Sequence, residues 1–275
     1  MSVSSARAAS REDVSRGLAG RRILVLGAGG GQGSISAAVV AALSCRSAGL
    51  VLADVDERAV VNTAEELARA GAVASGTGCD VTSTASIDAA VRHTVRVLGG
   101  IDGLVTVVGG MGRFAPMGPL HLMTDEQIDR VLALNLRYVF SAVRAVLPPM
   151  MAGGGGSIVS IGSLSGQVSA PNHSVYGAAK AGLAHLARTT TIEYGPSGVR
   201  MNIVAPGLVA TPAAGEVLSS DTAGGMRNRI PLGRPATAAD IGNAVAFLVS
   251  DAAAYVSGQT LVVDGGATAR FPLAD

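Results

Sequence analysis

This chain of 275 residues has few cysteines, a single lysine and almost no net charge. Its two cysteines, Cys45 and Cys79, show neither metal-ligand spacing nor a disulfide framework, so both are predicted to be small core residues and no metal site is expected. The lack of cysteine pairs fits a reducing compartment, here predicted to be the cytoplasm. With 21 basic and 20 acidic residues the net charge is only +1, so no basic surface for nucleic acid is expected.

Disorder and membrane insertion are also disfavoured by the composition. Hydrophobic residues make up 48% of the chain and charged residues 15%, which is enough apolar material for a large core. An uncharged stretch at residues 23–45 is long enough to cross a bilayer, but glycines interrupt it, so a strand, a turn and a helix are predicted. Residues 1–17 lack the apolar core of a signal peptide and are predicted to be a flexible arm before a single domain at 18–275.

Short apolar runs alternate with longer helical patterns along the whole domain. Strands are predicted at residues 22–26, 50–53, 72–75, 103–107, 157–161, 200–204 and 260–263. Helices are predicted near residues 34–45, 57–70, 86–98, 125–151, 174–194 and 238–249. Nearly all strand positions are apolar, which is typical of a parallel sheet covered on both faces. The pattern predicts a single-domain α/β fold of the Rossmann type, with a doubly wound, parallel, seven-stranded sheet.

A glycine-rich turn follows the first predicted strand and precedes a helix. It contains Gly27, Gly31, Gln32 and Gly33, and such a turn lets the backbone and the helix N-terminus approach a pyrophosphate. In a chain with 37 glycines this turn alone is weak evidence. Asp54 ends the next predicted strand, 21 residues after Gly33, where a carboxylate would accept hydrogen bonds from the adenosine ribose hydroxyls. The pair of features predicts a dinucleotide site that prefers NAD to NADP.

Tyr176 and Lys180 form a second pattern with chemical meaning. Four residues apart on a predicted helix, their side chains share one face. An ordinary tyrosine has a pKa of about 10, and a neighbouring cation favours its phenolate form. Lys180 is the only lysine among the 21 basic residues, which indicates a task that arginine cannot perform. His173, three residues before Tyr176, is interpreted as an ordinary loop histidine.

These residues, in this order, resemble the short-chain dehydrogenase/reductase family, in the compact branch with 3-oxoacyl-carrier-protein reductases and hydroxysteroid dehydrogenases. The resemblance covers about residues 18–268 and extends to Ser163 and Asn135. It implies that Ser163 hydrogen-bonds the substrate oxygen and that Tyr176 exchanges a proton with that oxygen. It also implies that Lys180 lowers the pKa of Tyr176 and holds the nicotinamide ribose, and that Asn135 anchors a water of the proton relay.

The resemblance further implies a set of cofactor contacts, a small alcohol or ketone substrate, and a homotetramer. The cofactor residues would be Gly27, Gly31, Gln32, Gly33, Asp54, Asp80, Val81, Gly109, Tyr176, Lys180, Val209 and Thr211. Within this set, Asp80 and Val81 match a segment that contacts adenine, and Val209 and Thr211 match a loop that clamps the nicotinamide carboxamide. No membrane partner is expected.

Two positions depart from the family pattern. Leu26 replaces a threonine that commonly precedes the first glycine, and Thr106, Val107 and Val108 replace the usual Asn-Asn-Ala before Gly109. The second departure removes asparagine side chains that brace the central sheet, and it is interpreted as altered bracing.

Three functional hypotheses follow from the sequence and the resemblance. The first is an NAD-dependent oxidoreductase that interconverts a secondary alcohol and a ketone. The second is an NADPH-dependent 3-oxoacyl thioester reductase, and the third is a catalytically silent NAD-binding regulator. Residues 213–229 are expected to cover the substrate, but their composition fits steroids, acyl thioesters and small alicyclic alcohols equally well.

Overall fold

Strands and helices alternate in the computed structural model, which describes residues 17–46, 48–110, 118–215 and 229–269. The strands are β1 (Arg22–Leu26), β2 (Gly49–Asp54), β3 (Ala74–Gly78), β4 (Gly103–Thr106), β5 (Gly156–Ile161), β6 (Val199–Pro206), β7 (Val209–Ala210), β8 (Ala236–Thr237) and β9 (Thr260–Val263). The α-helices are α1 (Ile35–Ser44), α2 (Glu57–Arg69), α3 (Thr84–Leu98), α4 (Asp125–Leu132), α5 (Tyr138–Ala152), α6 (Ser174–Tyr194) and α7 (Ala238–Val249). Residues 1–16 of the predicted arm, and residues 216–228 of the segment expected to cover the substrate, lie outside the described residues.

Seven of the strands form one parallel sheet in the order β3-β2-β1-β4-β5-β6-β9. Helices α3, α5 and α6 pack on one face of this sheet, and α1, α2 and α7 pack on the other. The predicted doubly wound Rossmann-type fold is therefore confirmed. The strand order reverses between β1 and β4, and in open α/β sheets ligands bind outside the carboxyl ends of the strands at such a point.

Local sequence signals account for where most helices begin. A side-chain oxygen at the N-cap accepts a backbone N–H of the first turn in five helices, at Ser34, Asp56, Ser83, Thr124 and Thr237. Each such cap contributes about 1 kcal/mol. The first residues of these helices agree with the predicted ones to within two residues, whereas the helix predicted at residues 125–151 is divided at Ala133–Arg137.

Strand β3 is displaced from its predicted position, residues 72–75, to Ala74–Gly78. Its glycines conceal the period-two pattern, because they have no side chain to alternate. A Cβ on Gly76 would lie only 2.6 Å from the backbone nitrogen of Val61, so α2 packs directly on the strand backbone there. Close packing of a helix on a glycine strand is a tertiary feature that composition does not reveal.

The structure also shows where the two cysteines and the two long apolar segments lie. Cys79 is buried as predicted, but Cys45 is exposed, because α1 ends at Ser44 and the next residue lies beyond its packed face. Residues 23–45 divide into β1, a turn and α1, as predicted. The helical segment Asp125–Ala152 is long and apolar enough to cross a membrane, yet its inner face is buried in the core, as in the core helices of globular proteins.

Candidate active site

The backbone of the glycine turn after β1 packs closely against Val108, in the loop after β4, and against Asp54, at the end of β2. A Cβ on Gly27 would lie 2.6 Å from Cγ2 of Val108, and a Cβ on Gly29 would lie 2.6 Å from Cγ of Asp54. Gly27 also has a φ of +89°, a conformation that favours glycine. By contrast, within the described part of the chain nothing lies within 4 Å of a Cβ on Gly31. The turn is thus packed on its inner side and open beside the N-terminus of α1, which fits a pyrophosphate group.

Asp54 lies at the carboxyl end of β2 with its carboxylate held against this turn. The Gly29 N–H donates to Asp54 Oδ2 (2.9 Å), and the Asp56 N–H donates to Asp54 Oδ1 (3.1 Å). Arg58, the nearest cation in the sequence, is exposed on the first turn of α2. The carboxylate therefore has a fixed position beside the open part of the glycine turn.

The structure places the other predicted cofactor residues around the same edge of the sheet, with different exposures. A Cβ on Gly33 would lie 3.4 Å from Cδ of Pro212, so the loop that carries Val209 and Thr211 borders the glycine turn. Asp80 is exposed, and its Oδ1 accepts hydrogen bonds from the backbone and hydroxyl of Thr82. Val81 is buried in the core, and Gln32 is exposed.

Ser163, Tyr176 and Lys180 meet between the end of β5 and the first turns of α6. The Lys180 ammonium is buried, donates to the carbonyl of Ile161 (3.0 Å), and lies 5.6 Å from the centre of the Tyr176 ring. Burial lowers the pKa of Lys180 to about 8, because desolvation disfavours the charged amine. Burial also raises the pKa of Tyr176, and a hydrogen bond with Ser163 opposes that rise. The three groups can therefore act on one proton.

Asn135 lies in a π-helical turn, Ala133–Arg137, that joins α4 to α5 inside the single helix predicted at residues 125–151. Its Nδ2 donates to the carbonyl of Val131 (3.0 Å), and its Oδ1 accepts the N–H of Gly110 (3.0 Å). Single π turns inside α-helices occur frequently at functional sites. Asn135 thereby ties this helix to the loop after β4.

Gly109, in the loop after β4, brings Asn135 and Lys180 together. A Cβ on Gly109 would lie 2.9 Å from Asn135 Oδ1 and 3.0 Å from Lys180 Nζ, and its φ is +150°. Both the backbone conformation and the two neighbouring side chains therefore require glycine here. The predicted residues Asn135 and Lys180 are thus joined to the glycine turn through one short loop.

We expect Gly109→Ala to weaken NADH binding by about tenfold or more, because the new methyl group must displace the ammonium or the amide. Gly110→Ala is the matched control, since Gly110 has a similar φ of +142° but no atom of the described residues lies within 4 Å of its Cβ position. Titration of both variants followed by NADH fluorescence separates the contact from the backbone strain. Equal losses in the two variants would contradict the contact argument.

Several hydrogen bonds around the site were not expected from the sequence. His173 Nδ1 lies 3.0 Å from Ser165 Oγ, and the Ser165 N–H donates to Ser163 Oγ (3.2 Å). His173 is a loop residue, as the sequence indicated, and its ring also connects the start of α6 to the turn that carries Ser163. Its position three residues before Tyr176 was the available signal.

Comparison with known proteins gives consistent matches over nearly the whole chain. A family model described as enoyl-(acyl carrier protein) reductase matches residues 29–268. The 2-(S)-hydroxypropyl-CoM dehydrogenase 3 of Xanthobacter autotrophicus is 38% identical over 246 residues, which cover 88% of this chain and 94% of that protein.

Two solved structures match with similar extent. A 7α-hydroxysteroid dehydrogenase complexed with NADH and 7-oxo glycochenodeoxycholic acid has a TM-score of 0.86 and 30% identity, covering 93% of this chain and 96% of that one. A gluconate 5-dehydrogenase from Burkholderia cenocepacia in complex with NADP and tartrate has a TM-score of 0.87 and 29% identity, covering 94% and 99%. The two structures hold different nicotinamide cofactors, so the likeness alone does not choose between NAD and NADP.

Proposed function

Because this chain belongs to the short-chain dehydrogenase/reductase family, whose matched members oxidise alcohols or reduce ketones, we propose that it interconverts a secondary alcohol and a ketone with NAD. The observation that carries this proposal is the meeting of Ser163, Tyr176 and Lys180 beside the glycine turn. When bound, the nicotinamide accepts the hydride from the alcohol carbon or returns it to the ketone.

Ser163 and Tyr176 are proposed to handle the substrate oxygen. The Ser163 Oγ accepts the backbone N–H of Ser165, and its own proton, which is shared with Tyr176, would turn to the substrate oxygen when substrate binds. Tyr176 takes the hydroxyl proton during oxidation and returns it during reduction. Its side chain is partly buried, which limits the contact of bulk water with the phenol.

Lys180 is proposed to favour the phenolate form of Tyr176 and to bind the nicotinamide ribose. An ammonium has three N–H donors, and the carbonyl of Ile161 takes one of them. Two donors remain for the ribose and for the water that Asn135 would anchor. Neutralisation of the buried amine would remove the positive charge that stabilises the phenolate.

The competing hypotheses differ in substrate and in turnover. A silent regulator is not retained, because the four predicted catalytic residues are all present. The relatives' names do not decide this point, since one relative that is 39% identical over 207 residues is named an inactive 2-(S)-hydroxypropyl-CoM dehydrogenase 2. The description of the matched family model refers to acyl-carrier-protein chemistry, which favours keeping the 3-oxoacyl thioester reductase as the second candidate. A panel of secondary alcohols, ketones and acyl thioesters, assayed with NAD(H) and NADP(H) by nicotinamide absorbance, decides between the two.

Asp54 is expected to set the cofactor preference. With NADP its fixed carboxylate would meet the 2′-phosphate, and two like charges in contact cost on the order of a few kcal/mol at an effective dielectric near 20. Since about 1.4 kcal/mol corresponds to tenfold, NAD should be preferred by well over tenfold in kcat/KM. Asp54→Ala should narrow this preference, weakening NAD while relieving the repulsion of NADP.

The control for this measurement is Glu66→Ala, which removes an exposed carboxylate from α2 and should leave the cofactor ratio unchanged. Equal or greater kcat/KM with NADP in the unmodified enzyme would show that Asp54 does not face the ribose.

The proposed assembly is a homotetramer in the cytoplasm. The edge strand β9 exposes Leu261 and Val262, and α7 exposes Phe247 nearby, so apolar surface is available for a second copy. Both cysteines are free thiols, which fits a reducing compartment. Light scattering should give about four times the chain mass of 27.3 kDa, and a stable monomer at micromolar concentration would refute the tetramer.

A further inference from the structure

Tyr138 stands out because its polar group is buried beside the site and no predicted role uses it. Its side chain is 3% exposed, and its hydroxyl donates to the carbonyl of Val108 (2.7 Å). Burial raises the pKa of this phenol well above its usual range, so it remains a neutral hydrogen-bond donor. A buried hydroxyl is costly unless it is hydrogen-bonded, and here its acceptor lies in the loop after β4.

Tyr138 and Asn135 hold this loop at two adjacent points. They are three residues apart on consecutive helical turns, so their side chains leave the same face. Tyr138 binds the carbonyl of Val108, and Asn135 binds the N–H of Gly110. Gly109 lies between these two points, with its Cβ position 3.0 Å from the ammonium of Lys180. The clamp therefore fixes the distance between the loop and Lys180.

The same clamp reaches the glycine turn and the centre of the sheet. Val108 is the residue whose Cγ2 and backbone nitrogen crowd the Cβ position of Gly27. On the sheet side, the buried Thr106 hydroxyl donates to Ser160 Oγ (2.8 Å) and also interacts with the hydroxyl of Tyr138. Thr106 stands at the position that the family pattern gives to its first asparagine.

We propose that Tyr138 is a positioning residue of the cofactor site, which holds residues 108–110 between the glycine turn and Lys180 and so replaces the missing asparagine bracing. This inference rests on the proposed function, because it concerns the same nicotinamide site. Tyr138 does not touch the substrate in this scheme. It acts through the loop that contacts Lys180.

The test compares unmodified protein with Tyr138→Phe, which removes one oxygen atom and keeps the ring packing. Without this hydrogen bond residues 108–110 are held less firmly beside Lys180, so we expect NADH binding to weaken by about 5- to 20-fold. Binding of 5′-AMP, which lacks the nicotinamide half, should change less than about twofold. Both affinities are measured at a temperature well below the unfolding transition, where a purely structural defect leaves them unchanged.

Tyr194→Phe is the matched control, since it removes a hydroxyl from a partly buried tyrosine at the far end of α6. Thr106→Val should weaken NADH binding in the same direction, and the double variant should lose less than the product of the single losses, because the two hydroxyls act as one network. If Tyr138→Phe does not fold, the NADH affinity of Thr106→Val tests the positioning role instead.

The outcomes separate this inference from the proposed function. If unmodified protein binds NADH but Tyr138→Phe binds it equally well, the positioning role is wrong and the proposed function stands. If unmodified protein binds neither NADH nor NADPH, the proposed function is wrong, and the inference fails with it. Equal weakening of NADH and 5′-AMP would also overturn the role, because it indicates a general distortion.

Discussion

Tyr176→Phe is expected to lower kcat by about 10²–10⁴-fold, the contribution of a well-placed proton donor or acceptor. The Tyr176 phenol lies beside both Ser163 and the buried ammonium of Lys180, a position from which it can exchange the proton of the substrate oxygen. NADH affinity should stay within a few-fold, because the phenylalanine ring keeps the packing.

One control and one companion variant accompany this prediction. Tyr194→Phe removes a hydroxyl from the same helix, about five turns away, and should retain full activity. Ser163→Ala should also reduce kcat, since it removes the other group that faces the substrate oxygen. Activity of Tyr176→Phe within threefold of the unmodified enzyme would eliminate the proposed proton path.

Lys180→Arg is expected to lower kcat by on the order of 100-fold or more, although it keeps the positive charge. The ammonium occupies a buried space bounded by the carbonyl of Ile161, the ring of Tyr176 and the loop at Gly109. A planar guanidinium is wider and cannot reach the phenol and the ribose from the same position. Full activity with an unchanged basic limb of the pH–rate profile would show that the single lysine is incidental.

Lys180→Met removes the buried charge, and it is expected to increase the stability of the protein while it lowers the activity. Burial lowers the pKa of Lys180 from 10.5 to about 8, so between these values the unfolded chain binds more protons than the folded one. Stability contributed by this group therefore rises with pH across that window, and the full penalty is present below about pH 8.

We therefore expect Lys180→Met to be more stable than the unmodified protein at pH 7, by up to about 3 kcal/mol, while losing turnover. Urea denaturation at pH 7 and at pH 10.5 measures the effect, and the gain should shrink at the higher pH. Lower stability of the variant at pH 7 would mean that the cation is well satisfied by its surroundings. Such opposition between activity and stability is usual for a buried catalytic charge.

The sequence by itself determined the strand–helix alternation and the parallel sheet, because apolar periodicity is a local property of each segment. It also determined that Asp54 lies beside the glycine turn. β1 and β2 pair in parallel with Leu26 opposite Ala53, so the segments that follow both strands emerge at one edge. The shared face of Tyr176 and Lys180 is equally local, since it follows from helical spacing alone.

The sequence indicated Ser163 and Asn135 only through the family resemblance, because nothing in their local pattern distinguishes them from other polar residues. Both residues are distant from Tyr176 in the sequence, and the path of the chain through β5 and the turn before α6 brings them close to it. Asn135 further depends on a π turn, which periodicity cannot separate from the α-helices on either side.

Only the tertiary structure decided how the loop after β4 is held. The replacement of asparagines at residues 106–108 was visible in the sequence, but its compensation by Tyr138, Thr106 and Ser160 was not. These hydrogen bonds join residues 30 and 54 positions apart. The packing of α5 selects the first pair of partners, and the pairing of β4 with β5 selects the second. The displaced β3 and the exposed Cys45 have the same origin, because close helix contacts and helix ends depend on neighbouring elements rather than on local composition.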